Sequence, residues 1–288
     1  MATWPTTKVP SGIDTAGFIP ELWSKKVLEA VHSRLVVVPV VNHTWEPELV
    51  QGDTMNVGIL NTVTATAVTI GSEGSALDPM TGSMVPIVVN QYYEAPVAIE
   101  YPGRRQSQVK IEAEAQRESG YAIAKAIDSS LCALFSALSG GSKLGTDGSA
   151  INDDVLIAAV EQLDESDVPE DDRVWIFDPS ARADLMKIDK FVRADYGYGD
   201  VIPVGGFRKD VYGAPVLITN NLTAVSDGTG NYGVYMHRDA LAIIAQENNQ
   251  IDRVEQPLKH QVVINTTALW GVKEMRDTFG VAIYTRKA

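Results

Sequence analysis

Two runs of alternating apolar and polar residues predict a long β-hairpin early in the chain. The runs cover residues 55–70 and 84–99, and a stretch rich in glycine and serine, 71–83, joins them. Threonine alternates with valine and alanine through much of the first run, so its apolar face is thin. An isolated ribbon of two strands is marginally stable in water and presents unpaired edges. We therefore expect this hairpin to be supported by something outside the monomer.

A helical stripe follows the hairpin. Ser107 is a candidate N-cap and the Ser-Gly-Gly-Ser sequence at 139–142 is a clear terminator, which predicts one helix over residues 107–138. The apolar residues that recur at spacings of three and four are Ala124, Ile127, Leu131, Leu134 and Leu138. At 1.5 Å per residue this helix would be about 48 Å long, against a radius of gyration of roughly 19 Å for a compact chain of this length. We expect a flat subunit rather than a sphere.

The segment before the hairpin is less regular. Prolines and weak periodicity indicate an extended arm through residue 20, and a short helix is predicted over 21–33. A valine-rich run over 35–41, interrupted by Pro39, is typical of an edge strand.

Beyond the long helix, helical and strand-like runs alternate and predict an α/β section. A helix capped by Asn152 or Asp153 precedes a buried strand over 174–177, and Asp178-Pro179 begins another helix. A Tyr-Gly-Tyr-Gly loop follows at 196–199. The strands predicted in the remainder cover 211–219, 241–245, 262–265 and 280–285.

Charge and cysteine content narrow the function. The chain has 288 residues and a formal net charge of −13, which disfavours a nucleic-acid binder because phosphates require clustered Lys and Arg, although a protein that merely encloses nucleic acid is compatible. Cys132 is the single cysteine and lies in an apolar helical run, so we expect a buried thiol and no disulfide framework. The sequence has no secretory signal and no apolar run of about 18 residues, which predicts a soluble, intracellular protein without a membrane partner.

Candidate chemistry is sparse. A glycine pattern at 228–233 precedes a strand-like run, whereas a dinucleotide fingerprint opens a helix, so a surface turn is favoured. The four histidines are scattered singly. The acidic run at 164–172 lacks the spacing and central glycine of a calcium loop, which favours a solvated connector. We predict no enzyme activity, no cofactor and no metal.

The order of these parts resembles the major capsid protein of tailed bacteriophages, which has the Hong Kong 97-type shell fold. The stretches that carry the resemblance are Phe-Ile-Pro-Glu-Leu-Trp-Ser at 18–24, Gly-Asp-Thr at 52–54, the helix over 111–138, Val-Tyr-Gly-Ala-Pro-Val at 211–216 with Thr-Asn-Asn-Leu at 219–222, and Leu-Trp-Gly-Val-Lys at 269–273. Each motif is weak alone, but together they cover nearly the whole chain in order.

The resemblance implies an α+β fold in four parts. These are an N-terminal arm with a short helix (1–50), an extended β-hairpin loop (51–100), a peripheral domain with a long spine helix and C-terminal strands (101–150 and 237–288), and an axial α/β domain (151–236).

The resemblance also implies a function and partners. Such a chain would self-assemble into hexamers and pentamers of an icosahedral head, built in the host bacterial cytoplasm, that encloses double-stranded DNA without sequence-specific binding. A portal protein, a separate scaffolding protein and a cement or decoration protein are the expected partners. Some relatives crosslink their shells through a lysine on the extended loop. Residues 51–109 contain no lysine, so this loop offers no donor for such a crosslink.

Six residues are candidates for contacts between subunits. They are Glu73 and Asp78 at the hairpin tip, Arg104 and Arg105 before the long helix, and Tyr196 and Tyr198 in the glycine-aromatic loop. The arginines are either a solvated pair or partners of carboxylates on a neighbouring subunit. Two other functions remain open: a shell protein of an encapsulin-like nanocompartment that packages an enzyme, and an α/β enzyme with its site in the loop over 196–207.

Overall fold

The computed structural model of the chain describes residues 35–49, 52–60, 65, 67, 70, 82–106, 111–192, 210–226 and 228–287. The helices are α1 (Tyr101–Gln106), α2 (Ile111–Leu134), α3 (Asp153–Glu165), α4 (Pro179–Leu185) and α5 (Asp189–Val192). The strands are β1 (Thr54–Leu60), β2 (Gly82–Val88), β3 (Gln91–Glu100), β4 (Lys143–Leu144), β5 (Arg173–Phe177), β6 (Asp210–Val211), β7 (Ala214–Ile218), β8 (Gly230–His237), β9 (Leu241–Gln256), β10 (Gln261–Glu274) and β11 (Gly280–Arg286).

Helix α2 packs on a three-stranded antiparallel sheet of order β3-β10-β9. The predicted stripe faces the core, since Ile127, Leu131 and Leu138 are buried. A buried hydrogen bond of 2.8 Å joins Ser119 Oγ to Thr266 Oγ1 and fixes the helix over the middle of β10.

The long helix is confirmed, with different bounds. It has 24 residues, which at 1.5 Å each give about 36 Å, and a 3₁₀ turn over Phe135–Ala137 replaces its predicted last turn. The predicted start at Ser107 lies outside the described residues. The short helix predicted over 21–33 also lies outside them.

The predicted hairpin is correct at its base and wrong in its extent. β1 pairs with β2 from Thr54↔Val88 to Leu60↔Gly82, but β3 leaves the hairpin and pairs with β10 instead. The chain bends at Val89, whose N–H closes the hairpin on Asp53 O at 2.8 Å. This bend runs against Gly271, where an added Cβ would lie 2.4 Å from Val88 O.

A six-stranded mixed sheet of order β4-β11-β8-β5-β7-β6 forms the second layer. Every residue of β5 is buried, as predicted. α3 begins after Asn152, and α4 begins after Asp178, whose Oδ1 accepts a hydrogen bond from Ala181 N at 3.1 Å. Proline at the first position of α4 already has a helical φ, which confirms the predicted start.

Two strand predictions need correction. Residues 35–41 form no edge strand, because the chain makes a 3₁₀ turn over Val38–Val40 and buries Val36, Val37 and Val41 in the core. Residues 211–219 form two strands, β6 and β7, since Tyr212 and Gly213 both have positive φ angles, 49° and 80°, and turn the chain back on itself.

The C-terminal strands are present and longer than predicted. β9 has 16 residues and β10 has 14, whereas the apolar runs at 241–245 and 262–265 mark only parts of them. β11 lies between β4 and β8 in the six-stranded sheet. That sheet therefore combines strands from both predicted domains, and the residue boundaries of those domains remain a prediction.

Candidate assembly surface

The cysteine, the acidic run and the glycine pattern all have structural roles in this fold. Cys132 is fully buried, and burial together with the nearby Asp128 carboxylate raises the pKa of its thiol. In the acidic run, Asp164 accepts a 2.7 Å hydrogen bond from Arg173 Nη1, and Arg173 is itself almost completely buried. The glycine pattern contains a turn with Gly228 at a φ of 77°, followed by the start of β8 at Gly230, which confirms the turn prediction.

Among the described residues, no group of three or more His, Cys, Asp or Glu side chains could hold a metal ion. No helix in the described part of the chain is long and apolar enough to span a membrane.

Most predicted contact residues fall outside the described part of the chain. This applies to Glu73, Asp78, Tyr196 and Tyr198. Arg104 and Arg105 lie in α1; Arg105 is exposed, and the side chain of Arg104 is outside what the structure describes. All six contacts therefore remain predictions.

The β1–β2 hairpin has a covered base and an uncovered outer part. At the base, Ile87 packs with Leu49, Ala242 and Ile244 in a small apolar cluster. Farther out, Leu60 is 66% exposed and Met84 is 76% exposed. These exposed apolar side chains on a two-stranded ribbon are available for contact with another chain.

A groove of about 750 Å³ lies beside the hairpin base, between β3 and α2. The helix contributes small side chains to it, namely Ala126, Ser129, Ser130 and Ala133. Val88 and Tyr93 form part of the opposite wall, and Lys273 is the cation that lines it. Small side chains let another backbone approach the helix closely.

One hydrogen-bond acceptor that lines this groove, Gln91 Oε1, is buried without a partner among the described residues. Trp270, directly opposite Gln91 in the β3–β10 register, is fully buried and does not line the groove. Tyr93 stacks on Trp270 with ring centroids 4.9 Å apart. A peptide unit carries an N–H donor, so an extended segment in the groove has the group that Gln91 Oε1 lacks.

Sequence reasoning missed one structurally important position, Asp128. Its carboxylate is fully buried on α2 and accepts hydrogen bonds of 2.9 Å each from Val37 N and Asn221 Nδ2. It therefore joins the segment before the hairpin, the long helix and the loop after β7. The available signal was an acidic residue directly beside Ile127 in the apolar stripe.

Sequence comparison finds no relative, whereas structural comparison finds several. No protein-family model matches the chain, and no curated protein matches it. A structure from Mycobacterium phage Che8 matches with a TM-score of 0.80 and 22% identity, over 92% of this chain and 97% of that chain. The capsid structure of the Cyanophage P-SCSP1u matches with a TM-score of 0.77 and 14% identity, over 96% of each chain. The capsid of an empty GTA particle matches with a TM-score of 0.69 and 14% identity, over 96% of this chain and 98% of that chain.

At these identities the similarity establishes the fold. The chain has an α+β fold shared with subunits of phage and GTA capsids. It is the Hong Kong 97-type shell fold, as the sequence predicted.

Proposed function

We propose that this chain is the major capsid protein of a tailed bacteriophage or a related particle. In this role it self-assembles into hexamers and pentamers of an icosahedral head that encloses double-stranded DNA, and it performs no catalysis. The observation that carries the proposal is the match to capsid structures over nearly the full length of both chains, 96% of each in the cyanophage structure.

Charge supports the same function. A formal net charge of −13 opposes tight binding to a phosphate backbone. A shell that encloses DNA and later releases it functions better when its subunits do not bind the DNA tightly. Enclosure then depends on contacts between subunits and not on contacts with the genome.

The hairpin and the groove suggest how subunits join. Each copy carries uncovered apolar residues on its hairpin, Leu60 and Met84, and a groove with an unpaired acceptor at Gln91. We infer that an extended segment of one copy occupies the groove of the next. Such a contact joins two different surfaces, so it closes into rings when the rotation between copies closes.

The first test of this function is particle formation. The purified chain should form closed shells visible by negative-stain microscopy, alone or in polyethylene glycol at high concentration. A stable 31.2 kDa monomer under all of these conditions, and also in the presence of the proposed scaffolding protein, would contradict the proposal. Particles from the native host should contain double-stranded DNA; a cargo enzyme in its place would support the nanocompartment instead. The portal, a separate scaffolding protein and a decoration protein are proposed partners, to be sought in the same particles.

The groove has its own test. Ala133→Arg places a long side chain in the groove and should prevent shell formation while leaving the subunit folded, because Ala133 is exposed in the monomer. Ala113→Arg is the matched control, since Ala113 is an exposed alanine of α2 outside the groove. Normal shells from the Ala133 variant would show that nothing occupies the groove.

A further inference from the structure

The three-stranded sheet has two faces, and helix α2 covers one of them. The even-numbered residues of β10 face the helix: Thr266 is hydrogen-bonded to Ser119, and Ile264 packs with Ala115 in a buried cluster. Successive residues of a strand point to opposite faces of the sheet. The odd-numbered residues of β10, with their cross-strand neighbours in β3 and β9, therefore form the opposite face.

The hairpin base covers one end of this opposite face and leaves the rest open. At the covered end, Leu269 packs against the apolar cluster that contains Ile87 of β2. Farther along, Pro96 and Ala98 are exposed, and Val254 is 52% exposed. We call this part the open face; it consists of the even-numbered residues of 94–100 and of 250–256, and the odd-numbered residues of 261–267.

An apolar row crosses all three strands of the open face. Ala98, Val263 and Val254 lie directly opposite one another in the strand register. A carboxylate flanks the row on each side: Glu100 is two residues from Ala98 along β3, and Asp252 is two residues from Val254 along β9. Two residues of a strand span roughly 7 Å, so each carboxylate is within reach of a group that lies beside the row.

The charge of the open face is negative only. Its charged residues are Glu94, Glu100 and Asp252, whereas Arg253 points to the other side and forms a 3.8 Å ion pair with Glu112 of α2. Lysine and arginine side chains carry a positive charge and only hydrogen-bond donors. They supply the two properties that the open face lacks.

We propose that the open face binds a partner protein that presents an apolar side chain between two Lys or Arg side chains. The apolar side chain packs on the row of Ala98, Val263 and Val254, and the two cations meet Glu100 and Asp252. The partner is a different protein, because the same face of a second copy would oppose carboxylates to carboxylates. The proposal concerns the folded subunit and does not depend on whether that subunit forms a shell.

A fluorescently labelled peptide of alternating lysine and valine is the probe. Its fluorescence anisotropy is measured with the full-length chain, and we expect binding that weakens as salt is added. A peptide of alternating lysine and serine has the same charge but no apolar side chains, so it should bind roughly tenfold more weakly. Equal affinities of the two peptides would show that charge alone attracts them, which would overturn the proposal.

Two lysine variants locate the binding surface. Val254→Lys places a cation in the apolar row and should weaken binding of the lysine-valine peptide by about tenfold. Ile157→Lys is the matched control, since Ile157 is 42% exposed on α3, outside the open face. If Val254→Lys fails to fold, Asp252→Asn is compared with Asp154→Asn, at an exposed position of α3. Equal binding by a variant and its control would overturn the proposal.

Sedimentation velocity tests whether a second copy occupies the open face instead. We expect the sedimentation of Val254→Lys and Ile157→Lys to match that of the wild type. Self-association that Val254→Lys abolishes and Ile157→Lys retains would assign the open face to a second copy and would overturn the proposal of a cationic partner.

Discussion

At the residue scale, Asp128 shows how one buried carboxylate can organise distant segments. It receives two hydrogen bonds, from Val37 N and from Asn221 Nδ2, and lies in a fully buried position. A carboxylate in such a place is stable only while its acceptor capacity is used. Its two hydrogen-bond partners are separated from it by 91 and 93 residues in the sequence. This set of hydrogen bonds therefore forms only when the fold is nearly complete.

Removing this carboxylate should destabilise the subunit strongly. Asp128→Ala leaves a buried N–H and a buried amide without their acceptor, which we expect to lower the free energy of unfolding by about 2–4 kcal/mol. Urea unfolding monitored by tryptophan fluorescence measures this change. Glu161→Ala, at an exposed position of α3, should alter it by less than about 0.5 kcal/mol. Equal effects of the two substitutions would show that Asp128 is not a structural junction.

Partial burial raises the pKa of Glu274, and this makes stability depend on pH. Its pKa is about 7 in the folded chain and 4.5 as the ordinary value, so the folded state holds the proton more tightly. This contribution to stability is complete below pH 4.5 and is lost as the pH rises through 7. Glu274→Gln should therefore melt at a higher temperature than the wild type at pH 8, and the difference should shrink toward pH 5. A constant difference across this range in thermal unfolding would argue against the shift.

At the scale of elements, local patterns were predicted well and tertiary bends were not. The stripe of α2 and the start of α4 at Asp178 depend on residues within a few positions of one another, so the sequence contains the full signal. The bend between β2 and β3 depends on Gly271, far along the chain in β10. The burial of Val36, Val37 and Val41 depends on α2 and on its Asp128.

The hairpin and the groove show the same difference between features with a local sequence signal and features that depend on long-range contacts. The thin apolar face of the hairpin was enough to predict that it needs support from outside the monomer, because that feature is visible in the local sequence. The groove was not predicted, because its walls come from β2, β3, α2 and β10, and its unpaired acceptor belongs to a residue as ordinary as Gln91. No sequence pattern marks such a juxtaposition.

Gly271 should be indispensable to the bend. In Gly271→Ala the new methyl group would lie 2.4 Å from Val88 O and 2.9 Å from Val89 Cα, so backbone atoms must move. We expect a loss of stability of more than about 2 kcal/mol, or insoluble protein. Gly58→Ala in β1 is the matched control, since nothing lies within 4 Å of its added Cβ. Soluble yield and melting temperature compare the two variants; equal values would contradict the role of Gly271.

At the scale of the whole molecule, the hairpin tip should be required for assembly but not for folding of the subunit. Deleting residues 71–83 removes the predicted tip and the first two residues of β2, and leaves the pairing from Thr54↔Val88 to Gly58↔Met84 and the two larger sheets in place. We expect a folded, soluble subunit that no longer forms shells, because the tip would contribute contacts to a neighbour and not to its own core. Circular dichroism checks the fold and electron microscopy checks the shells. Shells of normal stability from this variant would show that the tip is not an assembly element.

The pairing of strands distant in sequence has a kinetic consequence. β3 pairs with β10, with Gln91 opposite Trp270, and β4 pairs with β11, with Lys143 opposite Ala282. Neither sheet can close until most of the chain has been synthesised, and such long-range pairing makes folding slow. Incomplete chains expose α2 and its apolar stripe meanwhile, which makes them prone to aggregation. Slower synthesis at low temperature, or added chaperone, should therefore raise the soluble yield of this subunit more than that of a helical protein of equal length.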